Sequence, residues 1–144
     1  MSSIKELLGT KGREVFTIGP SATVLEAVEE MTARDVGALV VTEGKSVVGI
    51  LSERDYVRKV VATGRVSVDM TVADIMSPKV LFIRPDRSVD EGLALMYDKG
   101  VRHLPVMDGD DLVGVVSIKD LAGSCIGKRD FLIDQLANYI SNGR

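Results

Sequence analysis

Gly49-Ile-Leu-Ser-Glu-Arg-Asp55 returns 65 positions later as Gly114-Val-Val-Ser-Ile-Lys-Asp120. Outward from these strings, residues 14–60 lie on residues 79–125 without a gap. Identities run through the whole span: Val15/Val80, Ile18/Ile83, Pro20/Pro85, Val24/Val89, Glu26/Glu91, Met31/Met96, Val36/Val101, Leu39/Leu104, Val41/Val106, Gly44/Gly109 and Val48/Val113. A fixed period marks supersecondary units that bury a face against each other. Two copies predict a pseudo-twofold pair, with function placed between the repeats.

Each copy reads as helix, strand, helix, strand, strand, helix, an α+β pattern. A short helix opens at Ser3-Ile-Lys-Glu6 or Thr71-Val-Ala-Asp74, each with a hydroxyl three residues before a carboxylate, the capping-box signature. An apolar strand follows at Val15–Ile18 or Val80–Ile83. A longer amphipathic helix starts at Thr23-x-x-Glu26 or Ser88-x-x-Glu91, with Val24, Ala27, Val28 and Met31, or Val89, Leu93 and Met96, at helical spacing. Two β-branched runs joined by a polar, glycine-bearing turn then read as a hairpin: 39–42 with 47–51, and 104–107 with 112–116. The last helix begins at Ser52-x-x-Asp55 or Ser117-x-x-Asp120. The repeats span 3–62 and 71–126, and 127–144 forms a helical tail whose apolar face over 129–141 is Phe131, Ile133, Leu136, Tyr139 and Ile140.

Composition narrows the function. The chain has 144 residues, enough for one compact unit or two intimate halves, and a net charge of −3 with no basic block. A nucleic-acid binder would carry an electrostatic footprint. With no Trp, three Tyr and three Phe, a base-stacking platform is not expected either. A single Cys rules out an internal disulfide framework and fits a reducing compartment. No apolar run approaches the roughly 20 residues that span a bilayer, and the N-terminus carries no signal-peptide pattern, so a cytoplasmic protein is expected. One His and one Cys do not make a usual zinc site, and no metal is expected. Neither G-x-S-x-G nor a Walker string occurs. Asp108-Gly-Asp-Asp111 lacks the spacing of an EF-hand loop and reads as a solvated turn.

The order of elements, the paired Gly-h-h-Ser-x-x-Asp strings (h for apolar) and Arg102-His-Leu-Pro-Val106 resemble a CBS-domain pair, the cystathionine-β-synthase or Bateman module. The resemblance covers about residues 3–126 and leaves a free-standing pair as the expectation. It implies clefts between the repeats that take adenosine-containing ligands: AMP, ADP, ATP, NAD(H) or S-adenosylmethionine. It also implies a flat homodimer and a regulated partner protein.

Site residues follow residue by residue. Taken alone, Ser117 with Asp120, or Ser52 with Asp55, is a capping pair. A carboxylate at a helix start can also accept both ribose hydroxyls, while the helix end favours an anion. The resemblance assigns both pairs to ribose and phosphate. It assigns Arg102 and His103 to phosphate, whereas their counterparts are Gly37 and Ala38. The Asp120 cleft is therefore the phosphate-competent one. Arg54 is the substitute cation in the Asp55 cleft, with Lys119 its counterpart. The resemblance pairs Thr10–Val15 with Asp120 and Ser77–Val80 with Asp55, with Thr10 and Ser77 as polar contacts and Val15 and Val80 as apolar walls. Gly9-Thr-Lys-Gly-Arg13 is longer than its copy and also reads as a flexible basic turn.

The leading function is a nucleotide-binding regulatory module. A structural or dimerisation module without a ligand is the alternative. An enzyme ranks last, since no paired base and nucleophile are visible. The homodimer is expected through helices 23–34 and 88–99, with the 129–141 helix on it or on the partner.

Overall fold

A computed structural model describes residues 2–12 and 14–142, with backbone alone at 128–132 and 139–142. Phe131, Tyr139 and Ile140 of the expected tail face therefore lie outside the described side chains. The chain forms two compact units, one of residues 14–82 and the other of residues 1–13 with 83–144. Each holds the hairpin and long helix of one repeat, together with the opening helix of the other.

In the 14–82 unit, β1 (Thr17–Ile18) pairs in parallel with β2 (Ala38–Glu43), which pairs antiparallel with β3 (Ser46–Ser52). Helix α2 (Val24–Arg34) begins where the Thr23 hydroxyl accepts the Glu26 N–H at 3.0 Å. It buries Val24, Ala27 and Met31 in a cluster with Leu39, Val41, Leu51, Val60, Val72 and Ile75. After β3, α3 (Glu53–Tyr56) lasts one turn and continues as a π-helical turn, Val57–Val61, closed by the Ala62 N–H on the Val57 carbonyl at 2.9 Å. A 3-10 turn (Ser67–Asp69) leads to α4 (Val72–Ile75). There the Thr71 N–H donates to the Asp74 carboxylate at 2.9 Å and holds that carboxyl below its ordinary pKa.

The other unit repeats this plan. Helix α1 (Ile4–Lys11) is capped by Ser3. Helix α5 (Val89–Lys99) starts at a reciprocal Ser88–Glu91 box and ends at Gly100 in the left-handed region. Strands β4 (His103–Asp108) and β5 (Asp111–Ser117) form the hairpin, and α6 (Ile118–Asn142) follows. The register of β4–β5 reproduces that of β2–β3, including the irregularity after Val106 that matches the one after Val41.

Three expectations change. The strand at Val80–Ile83 shrinks to one parallel bridge, Ile83 with Val106. In the other copy the Val40 N–H donates to the Phe16 carbonyl; Pro105 stands at the equivalent position and has no N–H to give. The basic turn at residues 9–13 is helical through Lys11, and Gly12 stops the helix at φ 105°, a conformation that suits only glycine. The last helix and the tail are one element: α6 runs unbroken past Gly123 and Gly127, so propensity costs of about 1 kcal/mol per glycine are overridden.

The glycine that recurs in each string has a packing reason. A Cβ on Gly114 would meet Leu8 Cδ2 at 2.7 Å, and one on Gly49 would meet Met76 Sδ at 2.6 Å. In each unit, therefore, the segment borrowed from the opposite repeat lies directly over the strand that leads into the Ser-x-x-Asp turn.

Candidate functional site

Strand β5 delivers Ser117 to the start of α6, and the hairpin register sets His103 opposite it. The Ile118 N–H donates to the Arg102 carbonyl at 2.8 Å, which fixes the strand start beside the helix start. Asp120 closes the turn. Its Oδ2 accepts the Ser117 N–H at 2.9 Å, and its own N–H donates to Ser117 Oγ at 3.0 Å. Lys11 Nζ, at the end of α1, lies 3.3 Å from the same Oδ2. Asp120 Oδ1 accepts no hydrogen bond among the described residues. Burial pushes the His103 imidazole below its ordinary pKa, against the pull of the Asp120 carboxylate; Lys11 and Arg102 push it the same way as burial. Ser117, His103 and Asp120 are half-buried, Arg102 and Lys119 exposed. The result, among the described residues, is a carboxylate paired through Oδ2 with one cation, Lys11, and an imidazole opposite Ser117, all at a helix N-terminus, with Arg102 at the start of the adjoining strand.

The Asp55 site has the same backbone and different side chains. Ala38 lies opposite Ser52, and the Glu53 N–H donates to the Gly37 carbonyl at 3.0 Å. Asp55 Oδ2 accepts the Ser52 N–H at 2.9 Å and the Ser52 hydroxyl at 3.1 Å, and Oδ1 lies 3.4 Å from Lys59 Nζ. Lys59 also donates to the Ile75 carbonyl at 2.9 Å. Both oxygens of Asp55 are thus engaged, and its side chain is 15% exposed against 26% for Asp120.

Of the other candidates, Thr10 falls in the Asp120 unit but is exposed on α1, its hydroxyl donating to the Glu6 carbonyl at 3.3 Å. Val15 belongs to the 14–82 unit, with Ser52, Arg54 and Asp55. Ser77 exchanges backbone bonds with Ile50 at 2.9 and 3.0 Å, which sets it against β3 ahead of the Asp55 turn. Val80 is half-buried in the same unit, and Arg54 is exposed. Sequence reasoning missed Lys11 and Lys59 as charge partners. The Asp55–Lys59 spacing of four was a visible helical signal; Lys11 and Asp120 are too far apart in sequence to give one. Among the described residues, no cluster of three or more His, Cys, Asp or Glu is placed to hold a metal, and no helix is long and apolar enough to cross a membrane.

Comparison with known proteins agrees with this architecture. The CBS domain profile matches residues 4–62 and 72–127, and the chain belongs to the CBS-domain family as a pair, a regulatory module. CBS domain-containing protein CBSX3, a mitochondrial protein of Arabidopsis thaliana, is 37% identical over 151 residues, covering 99% of this chain and 73% of that one. The crystal structure of the CBS domain protein NE2398 matches with a TM-score of 0.84 and 37% identity over 88% of this chain and 99% of that one. The CBS domain pair of protein MJ0100, solved with 5′-methylthioadenosine and S-adenosyl-L-methionine, has a TM-score of 0.79 at 22% identity, over 89% of this chain and 98% of that one. At that identity the likeness concerns the fold alone.

Proposed function

We propose that this chain is an adenine-nucleotide-binding regulatory module, acting without catalysis of its own on a partner protein. AMP, ADP, ATP or NAD(H) are its candidate ligands, and the Asp120 site is the one that grips phosphate. The observation that carries this reading is the contrast between two sites with one backbone plan. Where Gly37 and Ala38 stand in one, Arg102 and His103 stand in the other, near a carboxylate whose Oδ1 accepts no hydrogen bond among the described residues. The residues fit the ligand chemistry: Asp120 Oδ1 can accept from a ribose hydroxyl, Arg102 offers a planar fork of donors, and the α6 N-terminus favours an anion. Ser52, Arg54, Asp55, Ser77 and Val80 form a second, weaker ribose site. Ligand held against both α1 and the start of α6 would favour the conformers in which α1 is docked, and such differential affinity is what signals to a partner.

The test is thermal melting of protein first stripped of any bound ligand, across a panel of adenosine ligands. At 100 times the dissociation constant, stabilisation is about 2.7 kcal/mol. No shift with any adenosine ligand at millimolar concentration would leave the ligand-free interaction module as the better account.

A further inference from the structure

The two carboxylates are neutralised in different ways. Lys59 comes from the helix that carries Asp55 and is tied a second time, to the Ile75 carbonyl. The residue equivalent to Lys59 after Asp120 is Ser124, which brings no charge. The cation there arrives from α1 instead, as Lys11. Its Nζ makes no hydrogen bond among the described residues, and the 3.3 Å contact with Asp120 is its one ion pair there. A ligand that engages Asp120 through both ribose hydroxyls needs Oδ2 as well as Oδ1, and so displaces Lys11 from it.

We infer that Lys11 makes the Asp120 site discriminate phosphorylated from unphosphorylated adenosine ligands. The inference rests on the adenosine reading above. A nucleoside breaks the Lys11–Asp120 pair and offers the ammonium nothing in return. A nucleotide breaks the same pair and gives Lys11 a phosphate beside Arg102. Lys11 therefore works against one ligand and for the other, which is how specificity is built from a repulsive as well as an attractive element. Its position at the last residue of α1 suits either pairing, since the helix dipole favours a cation there in both.

Calorimetric titration of stripped protein with AMP and with adenosine tests this through opposite signs. Partly exposed ion pairs are weak, so Lys11→Met should bind adenosine about two- to fivefold more tightly than wild type. Charge-assisted bonds to phosphate are stronger, so the same variant should bind AMP about tenfold more weakly, or worse. Lys11→Arg should keep the wild-type ratio. Lys5→Met, on the same helix, should change neither ligand, and melting curves report whether each variant is folded. If Lys11→Met shifts both ligands in the same direction, or neither, while wild type binds AMP, the inference is overturned and the adenosine reading stands. If wild type binds neither ligand, the adenosine reading fails and this inference fails with it.

Discussion

Helix α1 lies over β5 with almost no clearance, and a double-mutant cycle can read that contact. Leu8 is 2% exposed, and its Cδ2 and Cδ1 would stand 2.7 and 2.9 Å from a Cβ on Gly114. Leu8→Ala removes buried methyls and leaves a cavity, a change that costs about 2–5 kcal/mol. Gly114→Ala overpacks the same spot at about 1–3 kcal/mol, offset by roughly 0.4–1 kcal/mol from the stiffer unfolded chain. In the double variant the new methyl enters the space that Leu8 vacated. The clash disappears, so the combined loss should fall short of the sum by about 1–3 kcal/mol, well above the additivity expected of distant sites. Urea melts of the four proteins give the coupling. At about 2–4 °C per kcal/mol, thermal melting should place Leu8→Ala roughly 5–15 °C below wild type. Additive losses would mean that α1 does not sit on Gly114, and the exchange of opening segments between repeats would be wrong. Gly49→Ala with Met76→Ala should couple in the same way, through the 2.6 Å approach in the other unit.

Acid should weaken the fold through His103. Burial lowers its pKa in the folded chain, so between that value and the unfolded value of about 6.5 the unfolded state binds more protons, and stability must fall as pH falls through this window. His103→Gln should flatten the pH 5–7 portion of the melting profile; an unchanged slope would remove His103 as its cause. Arg102→Ala should weaken AMP much more than adenosine in titration, and equal losses would show that Arg102 does not read phosphate. Light scattering at micromolar concentration should give twice the chain mass of 15.5 kDa. Tyr97, 91% exposed on α5, lies on a helix proposed to carry that dimer, and Tyr97→Glu should shift it toward monomer.

Much of this was readable from the chain because the repeat is gapless from residue 14 to 60 and every helix start carries its own cap. Thr71 and Ser88 form the reciprocal box that their spacing predicts, whereas Ser3 and Thr23 form its first half alone, accepting the N–H of Glu6 and of Glu26. The losses have local causes. Pro105 is a single residue in an otherwise apolar strand, yet its missing N–H removes a pairing that the repeat had led one to expect. Gly127 looks like a stop, but the helix continues through it, because a lone glycine costs too little to end a helix whose turns on both sides form. The chemistry of the site was half legible: Ser117 and Asp120 stood out as repeats of Ser52 and Asp55, Arg102 and His103 by contrast with Gly37 and Ala38. Lys11 did not, although it lies in the Thr10–Val15 segment that the resemblance pairs with Asp120, because only the fold puts its ammonium on the carboxylate.

Titration of AMP into stripped wild type, Asp120→Ala and Asp55→Ala decides whether the Asp120 site binds an adenosine nucleotide. Asp120→Ala should abolish tight binding, because the ribose anchor is gone, while Asp55→Ala should leave the tight site largely intact. A larger loss from Asp55→Ala than from Asp120→Ala, or no binding of AMP by the wild type, would contradict this reading.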